Sequence, residues 1–344
     1  MTGGEKKTAK RPKLGETGHL SGRFFGVLGV GVLVFAVLNF GDLQSFGAML
    51  QRAEPLWLLV AAALQGITYA SVSLGWKLVL DKARSPLPLF RLIPVALSKL
   101  FADSMIPAAG MGGNLLLVDR LVTLGVPRGA AVAALILSLI GYYAAFAVFA
   151  IVMLVLLWMH GKATPLLAGV VTAFLLVALA IPGLALWLRR RGSRPLSPFL
   201  EHLPIVHTLL HVVGEAPARL LRDKTLILGV TACNAALFLV GAATLLVCML
   251  ALGHPIPFST AFIAMMGGSI VAALAPVPMG LGSFEVGSTA MLGLLGVPVP
   301  AALAGTLLLR GFTLWLPLLP GFVLMKGAFR SVRRPHRSKA LKVD

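Results

Sequence analysis

Residues 275–298 read APVPMGLGSFEVGSTAMLGLLGVP, inside a region apolar enough to lie in a bilayer. Pro276, Pro278, Gly280, Gly282 and Gly287 fall within it, so the stretch cannot form one uninterrupted helix. Glu285 is the only Asp, Glu, Lys or Arg between Gly253 and Leu309. An acid at membrane depth costs about 3 kcal/mol on insertion scales, so it is expected to face protein or water and not lipid. Broken backbone at that depth is tolerated only where it is buried in protein or lines a cavity. Both expectations converge on a site at this stretch.

The same stretch occurs twice. A gapless shift of 171 positions lays Pro107 on Pro278, Leu121 on Leu292, and residues 124–127 (LGVP) on residues 295–298 (LGVP). Ala130, Ala131, Ala133 and Leu137 fall on Ala301, Ala302, Ala304 and Leu308, which makes ten identities in the 31 positions from Pro107 to Leu137. Chance matches are common in an Ala/Leu/Gly-rich chain, but the initial Pro and the Gly-Val-Pro further on are not explained that way. The offset is almost half of the 344 residues, and the chain reads as a duplication.

A composition of 58% hydrophobic and 12% charged residues excludes an ordinary soluble domain. Cys233 and Cys248 lie fifteen residues apart in one apolar segment, ~22 Å along a helix and too far for a disulfide. A basic tail, 1–23, precedes the apolar run Phe24 to Phe40, which no small-x-small cleavage site follows and which reads as a retained first span. Pro55 to Trp76 is a second span, residues 77–91 a polar loop, Arg128 to Trp158 a third span and Pro165 to Leu188 a fourth. Leu226 to Leu252 and Ala301 to Met325 complete the set. Between them the pieces of 92–125 and 258–296 are too short to cross ~30 Å as helices and are expected to be re-entrant hairpins. An amphipathic piece around Phe199 to Leu221, in the basic loop 189–225, is expected at the membrane interface.

The expected fold is therefore an all-α polytopic membrane protein with six full spans and two re-entrant hairpins. It is an inverted repeat of two spans, a hairpin and one span: a first repeat over 24–160, a second over 161–326, and a basic tail at 327–344. With a cytoplasmic N-terminus, segments 1–23, 77–128, 189–224 and 326–344 hold 27 of the 30 lysines and arginines. That bias is what the positive-inside rule requires, with both termini cytoplasmic. The net charge of +18 is then a topology signal, and nucleic acid is not an expected partner.

An odd number of crossings per unit turns the second copy upside down. Two opposed hairpins broken near the midplane are the arrangement of inverted-repeat transporters. The expected breaks are Pro107, Gly110, Gly112 and Gly113 in one and Pro276, Pro278, Gly280 and Gly282 in the other. Glu285 is the leading candidate, as proton acceptor or partner of a cationic group, with a structural salt bridge to Arg310 as the plain alternative. Arg310 lies too deep for easy snorkelling, and its guanidinium fork suits a phosphate. Lys99 and Asp103, four apart, share one helix face and can pair. Asn114 stands where Glu285 stands in the other copy, and Asp119-Arg120 is read as a cap on the first hairpin. The glycine strings lack a GxxxxGK[ST] context, so no nucleotide is expected. His202, His207 and His211 with Glu201 and Glu215 are read as a solvated amphipathic surface and not a metal site. No catalytic constellation stands out; neither enzyme activity nor a cofactor is expected.

The run Pro276-Val-Pro278-Met-Gly280-Leu-Gly282-Ser-Phe-Glu285, with Gly296-Val-Pro298 and Arg310, resembles the second signature of the lysylphosphatidylglycerol synthetase transmembrane family, which includes YbhN-like membrane proteins. Pro107-Ala-Ala-Gly110-Met-Gly112-Gly113-Asn114 resembles its first, and the likeness spans roughly residues 20 to 330. It implies a flippase domain of the bacterial inner membrane, moving a modified phospholipid, a hopanoid or a glycolipid between leaflets. Many relatives carry an acid where this chain has Asn114 and a charge where it has Leu137-Ser138, which weakens a coupling role for the first hairpin. About twenty residues follow the last span, so the aminoacyl-transfer domain of the lysyl-lipid synthetases is not expected here. Membrane lipids are the expected partners, with a separate lipid-modifying enzyme as a second candidate. A soluble-substrate transporter and a non-transporting anchor for such an enzyme are the alternatives. Oligomeric state is open.

Overall fold

The computed structural model describes residues 53–105, 111–191, 217–275, 277, 280–317 and 320, and the regular elements among them are all helical. In chain order they are α1 (Pro55–Lys82), α2 (Leu89–Met105), α3 (Met111–Thr123), α4 (Arg128–Met159) and α5 (Pro165–Arg191). After these come α6 (Ala218–Arg222), α7 (Lys224–Ala251), α8 (Phe258–Leu274), α9 (Ser283–Leu294) and α10 (Val299–Arg310). A π-helical turn, Gly311–Trp315, continues α10. Three of these helices, α1, α4 and α7, are long and apolar enough to cross a membrane, and Pro165–Ala180, Phe258–Leu274 and Val299–Trp315 are shorter apolar stretches. The tails 1–23 and 327–344, the run 24–40, the histidines at 202, 207 and 211 and most of the amphipathic piece from Phe199 lie outside the described residues.

The segment 77–91 is not the loop that its polarity suggests. Helix α1 runs on to Lys82 and α2 already begins at Leu89. Val79 and Leu80 keep the apolar stripe of α1 fully buried, while Lys77 and Asp81 pair four residues apart on its outer face. Likewise the described ends of 189–225 are helical: α5 extends to Arg191, and the short α6 is pinned by buried Leu220 and Leu221 before Asp223 caps α7.

Helices α1 and α7 form the backbone of the packing. They run antiparallel along their whole length. Glu54 N donates to Ala251 O at 3.1 Å at one end, and Lys82 pairs with Asp223 at 2.9 Å at the other. Between these, Gln65 Nε2 donates to Thr244 Oγ1 at 3.1 Å and Ser71 Oγ to Cys233 O at 2.9 Å. Polar groups at this depth have no water to fall back on, so each pairing fixes the register of the two helices. Gly141 brings α4 equally close to α7; a Cβ there would lie 3.1 Å from Thr231 N. The Ala-rich start of α4, Ala130 to Leu137, is buried throughout and joins Trp76, Val79, Leu80, Leu117, Leu121 and Val230 in one core.

The order long helix, helical hairpin, helix occurs twice, as α1 to α4 and as α7 to α10. In each run the first helix packs on the second and fourth, and the third packs on both of its neighbours. The two LGVP segments fold alike. Gly125 and Gly296 both have φ of 90°, and Val126 N and Val297 N both donate at 3.0 Å to the carbonyl five residues back. This is a helix stop that needs a left-handed residue, which glycine supplies without a Cβ clash. Pro127 and Pro298 then launch the next helix with φ of −56° in both copies.

Candidate functional site

In the second hairpin, α8 and α9 approach through residues too small to hold them apart. A Cβ on Gly268 would lie 2.9 Å from Phe284 O, and one on Gly287 would lie 3.0 Å from the Cβ of Val271. Gly280 would meet Ala272 in the same way, at 2.5 Å. Gly280 and Gly282 have φ of 63° and 80° in the turn ahead of α9, and Gly282 offers no side chain to cap the helix. Glu285 in the first turn of α9 supplies the negative charge favoured at a helix N-terminus.

Glu285 meets the last residue of α10. Arg310 Nε donates to Glu285 Oε1 at 2.8 Å, and both side chains are largely buried. The guanidinium carbon also lies 4.8 Å from the centroid of the Phe284 ring, a cation–π contact on the residue next to the acid. One rung along, Thr306 Oγ1 donates to Ser288 Oγ at 3.2 Å, with both residues fully buried. Two rungs, one charged and one neutral, thus join α9 to α10. Past Arg310 the chain makes its π turn, a local widening often found where a helix must aim a side chain.

Glu285 is not saturated by this pair. Its Oε2 is buried with no hydrogen-bond partner among the described residues, and the same holds for Ser283 Oγ and Thr289 Oγ1 on the same helix.

The first hairpin is organised differently. Lys99 Nζ pairs with Asp103 Oδ2 at 2.7 Å within α2, each side chain about a quarter exposed. Asp103 Oδ1 accepts from Gly113 N at 3.0 Å, so the acid of one arm caps the other arm, α3. Only glycine fits there, since a Cβ would lie 2.6 Å from Lys99 O and closer still to the Asp103 carboxylate. Asn114 follows, with Oδ1 buried and unpartnered among the described residues. The structure therefore gathers Lys99, Asp103, Gly112, Gly113 and Asn114 at one hairpin and Glu285, Arg310, Gly280 and Gly282 at the other. Pro107, Gly110, Pro276 and Pro278 lie outside the described residues. Asp119 is exposed near the end of α3, where its carbonyl accepts from Thr123 Oγ1.

Sequence reading missed Phe284, Ser288 and Thr306. Phe284 carries a signal in its adjacency to Glu285. Ser288 and Thr306 carry one only once α9 and α10 are known to pack antiparallel, with Ser288 three residues beyond Glu285 and Thr306 four before Arg310.

Comparison with known proteins bears on this site. The family model described as the lysylphosphatidylglycerol synthase TM region matches residues 23–321. That is most of the 344 residues, and the chain belongs to this family. No curated protein matches it. The resemblance read from the Pro276 to Glu285 segment is borne out, and the chain is a helical membrane protein of a family linked to lipid modification or flipping.

Proposed function

We propose, with membership of the lysylphosphatidylglycerol synthase TM region family as premise, that this chain moves a lipid or lipid-linked molecule between the leaflets of a bacterial inner membrane. The observation that carries this reading is the Glu285–Arg310 pair, set between a broken helical hairpin and the helix that follows it. Charges are retained at such depth where they meet a polar substrate or a coupling ion. In the proposed topology the two hairpins are re-entrant from opposite sides, the spans number six, and both termini are cytoplasmic. Two features support an inverted repeat: the recurring helix order, and the antiparallel course of α1 and α7, which would be equivalent helices. Glu285 and Arg310 hold the head group, and Lys99, Asp103 and Asn114 serve the opposite entrance. The reading involves no covalent chemistry and no cofactor; any driving force comes from a proton gradient or from the lipid gradient itself.

Leaflet exchange of labelled lipids in proteoliposomes tests it, with wild type compared with Glu285→Gln and Arg310→Ala across pH. Exchange above protein-free vesicles that falls at least tenfold in folded variants is expected. Its pH response reports whether a proton takes part. No exchange of any lipid class by folded protein under an imposed gradient would return the soluble-substrate and anchoring readings to the front.

A further inference from the structure

Hydroxyl side chains in this protein follow a rule, and one residue breaks it. A buried Thr or Ser on a helix ordinarily donates to the carbonyl four residues back. Thr68 does so to Leu64 O, Thr231 to Ile227 O, Thr244 to Val240 O, Ser269 to Met265 O and Thr313 to Leu309 O, all within 2.8–3.2 Å. By that pattern Thr289 would donate to the carbonyl of Glu285. Instead its Oγ1 is buried with no partner among the described residues. The residue four before it is Glu285, whose Oε2 is buried and unpartnered as well. Residues four apart on a helix lie one above the other, so both open groups share one face of α9.

Each unmet group in a low-dielectric interior is costly, about 1–3 kcal/mol and more for a charged one. Two at adjacent positions call for one common partner. Arg310 already engages Oε1, so the remaining carboxylate oxygen is a pure acceptor; the threonine hydroxyl can donate. The partner that satisfies both is a group that donates one hydrogen bond and accepts another: a hydroxyl. A primary ammonium donates to Oε2 but leaves Thr289 without an acceptor, and a quaternary ammonium serves neither. The pocket is not sealed. Glu285 and Arg310 side chains keep 14% and 12% of their surface, and Gly282 and Val286 beside them are exposed.

We propose that Glu285 Oε2 and Thr289 Oγ1 form a subsite that reads a hydroxyl of the lipid head group, as a glycerol or a sugar would present it. This deepens, and rests on, the lipid-transport reading of the same site. Arg310 holds the acid in place and keeps it ionised as an acceptor, while Phe284 holds the guanidinium.

The test compares two lipids of equal charge and equal chains, dioleoylphosphatidylglycerol and dioleoylphosphatidylpropanol, which differ only in the head-group hydroxyls. Retention of each by the purified full chain is read by native mass spectrometry from micelles at matched concentrations. Wild type is expected to retain the glycerol lipid roughly tenfold better, the effect of one hydrogen bond to a charged group. Thr289→Val, which keeps the side-chain shape, brings the ratio within about twofold and leaves the propanol lipid unchanged, and Thr289→Ser keeps the preference. Equal retention of both lipids by wild type, or a ratio that Thr289→Val leaves intact, overturns the subsite and assigns the open groups to water. Leaflet exchange of the same two lipids separates binding from transport. Unselective exchange with unselective binding sinks the subsite and leaves transport standing, whereas selective binding without exchange keeps the subsite and sinks transport.

Discussion

The two hairpins share a frame of helix, break and returning helix, yet they are closed by opposite means. In α2–α3 the polar chemistry stays inside the hairpin. Lys99 and Asp103 sit on the same arm, and the acid turns to cap the other arm at Gly113. In α8–α9 the arms meet through Gly268, Gly287, Ala272 and Gly280. The acid is on the returning arm and reaches outside the hairpin to Arg310 of α10. A charge used within a hairpin fixes that hairpin's shape. One shared with the next helix fixes how the hairpin docks, and so lies where a moving part would meet a fixed one.

That difference predicts unequal damage. Arg310→Met leaves Glu285 buried and unpaired, which costs about 3–5 kcal/mol. Thermal unfolding in detergent, followed by helical ellipticity, should show it as the largest loss of any single change here. Removing both charges, as Glu285→Gln with Arg310→Met, should recover most of the loss, because a neutral pair of similar shape carries no desolvation penalty. Lys99→Met should cost about 1 kcal/mol or less, since its pair is partly solvated and Asp103 keeps its bond to Gly113. Equal losses at Arg310 and Lys99 would erase the distinction between the hairpins.

A smaller effect is expected where the first hairpin closes. Gly113→Ala places a methyl against the Asp103 carboxylate and the Lys99 carbonyl, and overpacking of this kind costs about 1–3 kcal/mol. The arms must part, and the Gly113 N–H loses its acceptor. Amide exchange at Gly113 and Asn114 should quicken while α9 is unaffected. An unchanged exchange rate would mean that the cap contributes little to closure.

Much of the hairpin chemistry is legible in the amino-acid sequence, and the reasons differ by feature. Charge at depth is rare enough that Glu285, Arg310, Lys99 and Asp103 stand out singly, and the four-residue spacing of Lys99 and Asp103 predicts their pairing. The Gly-Val-Pro stops are legible because a helix end of that kind needs a left-handed residue and then a proline that starts afresh. The extent of α1 is not legible. A helix end beyond an apolar core is polar on one face, and composition alone does not separate that from a loop. Nor is the Asp103 cap on Gly113 legible, because it joins residues ten apart across a turn that neither helical nor strand periodicity describes. The open Thr289 hydroxyl stands out only against the other hydroxyls, whose partners are fixed by the folded helices and not by residue type.

The mildest prediction concerns two turns that correspond in the two helix runs. Arg84 after α1 and Gly253 after α7 occupy the same place, with φ of 59° and 75°. In each, the next amide donates back five residues, Ser85 N to Leu80 O at 3.0 Å and His254 N to Met249 O at 2.9 Å. A left-handed conformation costs an L-residue about 1–2 kcal/mol, whereas glycine adopts it freely but gives up about 0.4–1 kcal/mol to its unfolded freedom. Arg84→Gly should therefore stabilise the fold by roughly 0.5–1 kcal/mol, and Gly253→Ala should destabilise it by about as much. Both shifts can be read from unfolding midpoints in the same detergent. The strain at Arg84 has a physical reason in the proposed topology, where the two turns lie on opposite faces of the membrane. The cytoplasmic turn is favoured by a cation during insertion, and the outer one is not. If so, Arg84→Gly gains stability once folded but weakens the charge bias that sets orientation. A cysteine-accessibility assay of the loop 83–88 should then report a larger misoriented fraction than wild type. A variant that is more stable and correctly oriented would show that the arginine serves neither folding nor insertion at that turn.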